Sequence, residues 1–498
     1  MSLTKATYSM IEGAAYNVLD FGADPSGVAS SVAAFNAAVA NGGTVYVPSG
    51  TYNLNGKVTL SVDDTTLWLA ANVTLNVSGV IPSNELALFG AQILVYANKC
   101  AIIGSGPSSL IQNVLGAYAN TISIVPPYVG LLIRDITIDG GKSLVTATAN
   151  DTFGAGIMVL AYTPLTPSDV QATIDNVVVQ NYAQYGISLY GSQCNGVKIV
   201  NCNIRDIGIT DQPLSVGAGI VSAVSGSNLI IANNVIKDCK QNGVFVSSAG
   251  VNSSNHVISN NIALNCGFSG IGYYEQADYS SASGIGISQI TVTGNVCRQN
   301  DRSGIRFNVE NVGVLSQISI TGNLCNDNTY AGIELNTTNT APNILSGVIL
   351  SGNQTVGNGS FQAFAGPDVI AVEGIERSFT PVIRGTTSAG VGTYVAQNGT
   401  YVKSGNVVTF QLLVDWSAHT GTGNIQITGF PYPVIDGEPT PVGWVWANGL
   451  SITGQANLYL IAGQTYGALQ ASDNGSFSPV AMDTSASIRI SGTYLTLD

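Results

Sequence analysis

Carboxylates and arginines are concentrated in one stretch of this 498-residue chain, between residues 275 and 334. Two carboxyl groups, one acting as general acid and one as base or nucleophile, are what hydrolysis of a glycosidic bond requires. The candidate catalytic residues are therefore Glu275, Asp301, Glu310 and Glu334. The candidates for binding a substrate are their polar and aromatic neighbours Tyr274, Arg302, Arg306, Asn308 and Asn336.

Arg306 and Glu334 stand at the same offset in neighbouring repeats, which predicts that their side chains touch. Such a contact is either an ordinary cross-strand ion pair or part of a site in which Arg306 orients Glu334 and lowers its pKa. In the second case, one of the other three acids supplies the second carboxyl group from a corner of the fold. A lyase is an alternative, in which a base removes the proton beside a uronic acid carboxylate that Arg302 or Arg306 neutralises.

A repeat positions these residues. Four times, an Asn that follows a short β-like run is followed nine residues later by a Gly and then Ile or Val: Asn234/Gly243, Asn261/Gly270, Asn295/Gly304 and Asn323/Gly332. The pairs are separated by 27, 34 and 28 residues. A period of this length without helical spacing predicts a parallel β-solenoid, in which each coil covers the apolar face of the next. Because Asn and Gly tolerate left-handed backbone conformations, we expect them at the corners.

Alternation within each repeat separates an inward from an outward face. Ile305 and Ile333 follow their Gly directly and are predicted to point inward, whereas Arg306 and Glu334 point outward. Equivalent outward residues of stacked coils lie about 4.8 Å apart, the spacing of hydrogen-bonded strands. Such a ladder suits an extended polymer, and outward Asn, Tyr and Arg side chains suit a glycan.

Composition restricts the class of protein. The 58 Gly residues, with only 16 Lys+Arg and 29 Asp+Glu, indicate an all-β chain. The net charge of −13 argues against a nucleic-acid partner. The sequence has neither an 18-residue apolar run nor an export signal at its N-terminus, so we expect a soluble protein without membrane insertion. No metal-ligand spacing occurs, and no cofactor is expected.

The cysteines and one histidine fit the interior of the solenoid. Cys239 and Cys266 share one offset and Cys297 and Cys325 another, which predicts stacked buried thiols rather than disulfides or metal ligands. His256 is in register with Ile290 and Ile318, and we expect it in the core rather than in catalysis.

The N-terminal segment predicts a cap. Ser30 to Ala40 has helical spacing, ends at Asn41-Gly42-Gly43 and leads into a strand from Thr44 to Val47. A DFGA run from Asp20, this helix and a GG-x-V-x-x-P-x-G-x-Y run ending at Tyr52 follow in the order seen in the pectate-lyase-like superfamily. The resemblance, together with the repeats, covers about residues 16–370 and implies a right-handed parallel β-helix.

The sequence pattern changes after Gly366. Short alternating runs, Val407 to Val414, Asn424 to Ile427 and Ala486 to Ile490, predict a C-terminal β-sandwich. Its tryptophans, Trp416, Trp444 and Trp446, belong either to a core or subunit interface or to a platform that stacks on sugars. The predicted organisation is a short segment 1–15, a β-helix with its capping helix 16–374, and a sandwich 375–498 for trimerisation or carbohydrate binding.

The chain also resembles phage tail proteins. The run FTPVIRGTTSAGVGTY, from Phe379, and the sequence from Asn398 to Val434 are similar to a C-terminal module of tail fibres and tailspikes. The KATYSMIEGA run at residues 5–14 is similar to N-terminal segments of such proteins. The resemblance implies a homotrimeric virion protein, made in the host cytoplasm, that binds and cleaves a bacterial surface polysaccharide, either capsule or O-antigen. The alternatives are a tail fibre that binds glycan without cutting it, and a secreted pectin-active enzyme of the same superfamily.

Overall fold

The computed structural model describes most of the chain. The described residues are 13–78, 91–114, 120–125, 129–144, 154–161, 171–191, 194–209, 217–224, 226–247, 251–275, 286–309, 313–337, 345–365, 372–373, 376–435, 440–441, 444–473 and 476–496. The chain divides between Ala371 and Val372 into two compact units. None of the helices within these ranges is long and apolar enough to cross a membrane.

The first unit consists of three parallel sheets, to which successive coils contribute one strand each. The first sheet contains Tyr16–Asn17, Thr44–Val47, Thr66–Leu69, Ala101–Ile103, Val129–Arg134, Gln171–Asp175, Lys198–Val200, Ile230–Ala232, Ser253–Ser259, Gly286–Thr293, Val314–Thr321 and Leu345–Ser351. The second contains Ser26–Ser30, Gly50–Leu54, Val73–Val77, Leu110–Asn113, Thr137–Asp139, Val178–Tyr182, Asn203–Ile207, Val235–Cys239, Ile262–Leu264, Val296–Arg298 and Leu324–Asn326. The third contains Val58–Leu60, Ala91–Val95, Asn120–Ile124, Ala155–Leu160, Tyr185–Tyr190, Ile220–Val224, Val244–Val246, Ile271–Glu275, Ser303–Val309, Ala331–Thr337 and Phe361–Ala365.

A short helix covers the N-terminal coils, as predicted. It spans Val32–Val39 and buries Phe35, whose ring contacts that of Tyr52 edge-on at 5.6 Å between centroids. The predicted strand Thr44–Val47 is confirmed. Two 3-10 turns, Val18–Phe21 and Lys142–Leu144, complete the helical elements of the described residues. The helix closes apolar surface that the first coil would otherwise expose.

The repeated Asn residues lie at the corners between strands, as predicted, but their own backbone is not left-handed. The left-handed conformation belongs to the residue just before each of them, for example Asn260 with φ 55° and Gly294 with φ 65°. Asn261 and Asn295 themselves are fully buried, and the side-chain amide of Asn261 donates to Oδ1 of Asn295 at 3.0 Å. Because a buried amide must satisfy both its donor and its acceptor, the Asn residues bond from coil to coil as a ladder inside the solenoid.

The repeated Gly residues are required for close approach rather than for left-handed backbone. A Cβ atom on Gly270 would lie 2.8 Å from the carbonyl oxygen of Gly304, and one on Gly304 would lie 2.7 Å from that of Gly332. Backbone atoms at that distance cannot move aside cheaply. Gly therefore recurs because the backbone of one coil lies directly against the backbone of the next at this position.

The predicted interior of the solenoid is confirmed. Cys297 pairs in register with Cys325, and all seven cysteines are buried free thiols. His256 is fully buried and pairs in register with Ile290. Its Nε2 lies 2.7 Å from Ser253 Oγ and 3.0 Å from the carbonyl oxygen of Gly226. Burial lowers the pKa of His256 to about 4, so the ring is neutral at neutral pH.

The second unit is a sandwich of two antiparallel sheets around one core. After the short strand Val372–Glu373, the five-stranded sheet contains Arg377–Phe379, Gly392–Ser404, Val407–His419, Ala486–Leu495 and Trp444–Asn448. The six-stranded sheet contains Val382–Gly385, Ile425–Thr428, Tyr466–Asp473, Gln455–Leu460, Thr440–Pro441 and Ser476–Pro479. Trp416 is buried between the sheets and donates through Nε1 to the carbonyl oxygen of Asp483 at 3.1 Å.

Candidate functional site

The register of the third sheet places the predicted outward residues as expected. Arg306 pairs with Glu334 on the next coil, and Asn308 pairs with Asn336. The alternate residues of the same strands point inward, where the stacked rings of Tyr273 and Phe307 have centroids 4.8 Å apart. The repeat therefore brings the predicted polar residues onto the outer face of this sheet.

Glu334 is the centre of a dense network of hydrogen bonds. Arg302 donates to it twice, from Nε at 3.0 Å and from Nη2 at 2.8 Å. Arg306 Nε donates at 3.1 Å, which confirms the predicted contact, and Ser303 Oγ donates at 2.6 Å. Arg306 also donates to Oδ1 of Asn308 at 2.9 Å. Two arginines and a hydroxyl thus saturate one carboxylate.

The electrostatics of this network keep Glu334 ionised. Burial alone would raise its pKa, but the hydrogen bonds from Arg302 and Ser303 and the charge of Arg306 outweigh burial, so the pKa lies below its ordinary value. Burial lowers the pKa of Arg306, although a guanidinium remains charged at any physiological pH. A general acid must hold a proton near neutral pH, which Glu334 does not. Its chemical effect is to fix the two guanidinium groups.

The exposed part of this face differs from the prediction. Glu334 and Asn308 are buried at 1% and 0% exposure, and the side chain of Arg306 is only 11% exposed. Arg302, at 34% side-chain exposure, opens substantially to solvent, and Tyr274 and Asn336 are half-buried. The outward side chains close over one another because each can bond to a neighbour, so most of them lie beneath the surface that a ligand would contact.

Aromatic rings flank the arginines. The guanidinium carbon of Arg302 lies 5.2 Å from the ring centroid of Phe268 and 5.4 Å from that of Tyr330. Backbone hydrogen bonds join the three residues from coil to coil. The N–H of Arg302 donates to the carbonyl oxygen of Phe268, and the N–H of Tyr330 donates to the carbonyl oxygen of Arg302. Phe361, 40% exposed, meets Tyr330 edge-on at 5.5 Å. We call Phe268, Arg302, Tyr330 and Phe361 the aromatic–arginine column.

The aromatic members of this column were not among the predicted site residues. Phe268 and Tyr330 stand two residues before the repeated Gly of their coils, which is the offset of Arg302. That shared offset was the available signal. Tyr274, by contrast, was predicted, and its ring centroid lies 5.9 Å from the guanidinium carbon of Arg306.

The candidate carboxylates do not converge on Glu334. Glu275 is buried and shares the inward side of its strand with Tyr273, and its Cγ would be 2.2 Å from a Cβ built on Gly313. It therefore lies on the opposite side of the sheet from Glu334. Asp301 is exposed at the corner just before Arg302. Glu310 lies outside the described residues. The catalytic roles of all four acids stay predictions.

Other polar residues have structural positions. Asp135, Asp206 and Asp238 have left-handed backbone, with φ between 55° and 57°, a conformation that Asp tolerates. Across the described ranges, no group of three His, Cys, Asp or Glu side chains is placed to hold a metal ion.

Two protein-family models match parts of the chain. A right-handed β-helix region matches residues 133–283. A rhamnogalacturonase A/epimerase, pectate lyase-like model matches residues 15–74, where the sequence resemblance was identified. No curated protein sequence matches the chain.

Solved structures that match the chain include two phage tailspikes. The Dettilon tailspike protein (gp208) is 16% identical over 96% of this chain and 94% of its own, with a TM-score of 0.59. The enzymatically active domain of bacteriophage CBA120 tailspike protein 2 is 12% identical over 97% and 76%, with a TM-score of 0.39. PfbA, a surface adhesin of Streptococcus pneumoniae, is 14% identical over 78% and 96%, with a TM-score of 0.49. The chain therefore has a tailspike-like fold built on a right-handed, pectate-lyase-like parallel β-helix.

Proposed function

We propose that this chain is a phage tailspike that binds a bacterial surface polysaccharide, a capsule or an O-antigen, along the aromatic–arginine column. The proposal rests on planar side chains that recur on successive coils: Phe268, Arg302, Tyr330 and Phe361. Stacked coils present such groups about every 4.8 Å along the solenoid. An extended glycan also repeats along its length, and its rings pack on aromatic faces while its hydroxyls accept from guanidinium groups.

The buried network gives this column a rigid base. Glu334 bonds Arg302 in a bidentate geometry, so the guanidinium plane stays fixed between the rings of Phe268 and Tyr330. A pre-organised side chain loses less conformational entropy on binding than a mobile one. The exposed parts of Arg302, Tyr330 and Phe361 contact the glycan in this proposal, and Glu334, Arg306 and Asn308 support them from below.

Replacing Tyr330 with alanine is expected to weaken polysaccharide binding about tenfold or more, because one stacking surface is lost and Arg302 loses a ring beside it. Surface plasmon resonance with capsule and lipopolysaccharide, purified from a strain to which the fluorescently labelled protein adsorbs, measures the effect. Trp68→Ala is the matched control, since Trp68 is an exposed aromatic at 43% on the first sheet. Equal affinities for Tyr330→Ala and wild type would rule out the column as the binding surface.

Cleavage of the glycan is the second candidate function. One observation favours it: Asp301 is an exposed carboxylate at the residue that precedes Arg302 in the chain. In hydrolysis it would act as acid or base together with a second carboxyl group. In a lyase it would act as base while Arg302 neutralises a uronic acid carboxylate. A lyase needs an arginine to neutralise the substrate's carboxylate, but both arginines already pair with Glu334. Hydrolysis is therefore our preferred reaction.

Asp301→Asn is expected to abolish cleavage and to leave binding within about threefold of wild type, since amide and carboxylate have the same size. Product size by gel filtration measures cleavage, and ultraviolet absorbance of new double bonds separates lyase from hydrolase. If the polymer stays intact after incubation with wild-type protein that binds it, cleavage is ruled out as a function. Light scattering of the same sample tests the proposed homotrimer.

A further inference from the structure

A groove of about 670 Å³ lies on the outer face of the five-stranded sheet of the second unit. Its residues come from neighbouring strands in register, since Leu413 pairs with Asn398 on one side and Arg489 on the other, and Arg489 pairs with Trp446. Volumes of a few hundred to about 1,000 Å³ are typical of small-ligand sites. The groove therefore has the size of a site for one or a few sugar rings.

Trp446 is the apolar surface of the groove. It is 48% exposed, whereas Trp416 on the other face of the same sheet is 1% exposed. The guanidinium carbon of Arg489 lies 5.5 Å from the Trp446 ring centroid. Arg489 is exposed, and the ion pairs found among the described residues do not include it. An indole beside an exposed guanidinium is a surface that fits an apolar ring face carrying a carboxylate.

Hydrogen-bonding side chains surround this pair. Asn398, Gln411 and Ser491 are exposed along the groove, and Gln411 pairs in register with Ser491 and Thr400. Amides and hydroxyls can donate to and accept from sugar hydroxyls. We propose that the groove around Trp446 and Arg489 is a second saccharide-binding site, which binds an acidic sugar independently of the aromatic–arginine column.

The test uses the full chain with trigalacturonic acid and its methyl ester as probes, which share the same sugar rings but differ in carboxyl charge and in the added ester methyl groups. Saturation-transfer difference NMR titrations measure both. Wild type is expected to bind the acid more tightly than the ester. Trp446→Ala should weaken binding of the acid about tenfold or more, and Arg489→Gln should make the two probes bind equally.

Two matched controls come from the other sheet of the same unit. Phe477, 59% exposed, and Arg384, whose guanidinium carbon lies 5.0 Å from the ring of Tyr466, repeat the two chemical types outside the groove. Phe477→Ala and Arg384→Gln should bind both probes as wild type does, and so should Tyr330→Ala on the β-helix.

Three results would overturn the proposal. The first is a wild-type protein that binds neither probe. The second is loss of probe binding in Tyr330→Ala but not in Trp446→Ala, which would place the binding site on the β-helix. The third is a Trp446→Ala variant that sediments as a smaller species and binds saccharide normally, which would make the groove a contact between copies of the chain.

Discussion

Replacing Glu334 with glutamine is expected to lower the free energy of unfolding by about 3–5 kcal/mol. The substitution keeps the shape of the side chain but removes the charge that compensates Arg306, which is 11% exposed, and Arg302. Removing one partner of a buried pair is costly because the other charge stays buried and unpaired. Guanidinium denaturation followed by circular dichroism measures the loss, and hydrogen exchange in Ser303–Val309 shows whether it is local. The same variant should bind polysaccharide more weakly, because Arg302 loses its bidentate partner.

The chain contains a matched control for this experiment. Arg298 and Asp327 form an ion pair at 2.8 Å, the same distance as Arg302 to Glu334, but both side chains are nearly half exposed at 44% and 47%. Asp327→Asn is therefore expected to cost less than about 1 kcal/mol. If both substitutions cost the same, burial of the Glu334 network contributes nothing.

The effect of Glu334→Gln should also depend on pH. The pKa of Glu334 is lower in the folded chain than the ordinary value of 4.5, so its charge stabilises the fold above that value. That stabilisation is lost as the pH falls through the folded-state pKa. The stability difference between wild type and variant should be full at neutral pH and shrink in acid, and a difference that grows in acid would contradict the charge assignment.

Sequence periodicity predicted the parts of this fold that depend on register. Arg306 and Glu334 touch because equal offsets on stacked coils leave only one arrangement. The same alternation places Glu275 inward, two residues after Tyr273, although the sequence analysis assigned it to a corner. Strand parity was therefore more reliable than residue chemistry at the end of that strand.

Two features could not be predicted from local preferences. Phe268 and Tyr330 stand in the turns before their strands, where alternation no longer fixes the direction of a side chain. The role of Asn295 was missed because Asn is common in left-handed turns, and the competing role depends on partners far away in sequence. Its side chain bonds to Asn261 and Asn323, 34 and 28 residues away.

Replacing Asn295 with alanine is expected to lower the free energy of unfolding by about 3–5 kcal/mol, since several buried groups lose their partner at once. Asn295 Oδ1 accepts from the backbone N–H of Asn261 at 2.9 Å and from its amide at 3.0 Å. Asn295 Nδ2 donates to the carbonyl of Ile258 at 2.9 Å and to Oδ1 of Asn323 at 3.0 Å. Water cannot replace these bonds in the interior without opening the coil.

Asn295→Asp separates the two halves of this interaction. Aspartate still accepts from Asn261 but presents a second oxygen, instead of N–H groups, to the acceptors Ile258 and Asn323, so it should destabilise about as much as alanine. Asn76→Ala is the control, because Asn76 forms a similar amide contact with Asn53 at 3.2 Å on the half-buried outer face, where we expect a cost below about 1 kcal/mol. The midpoints of unfolding in guanidinium chloride compare the stabilities of all three variants. A tolerated Asn295→Asp would mean that acceptance alone matters, whereas equal midpoints for Asn295→Ala and Asn76→Ala would show that apolar stacking, not the amide ladder, holds neighbouring coils together.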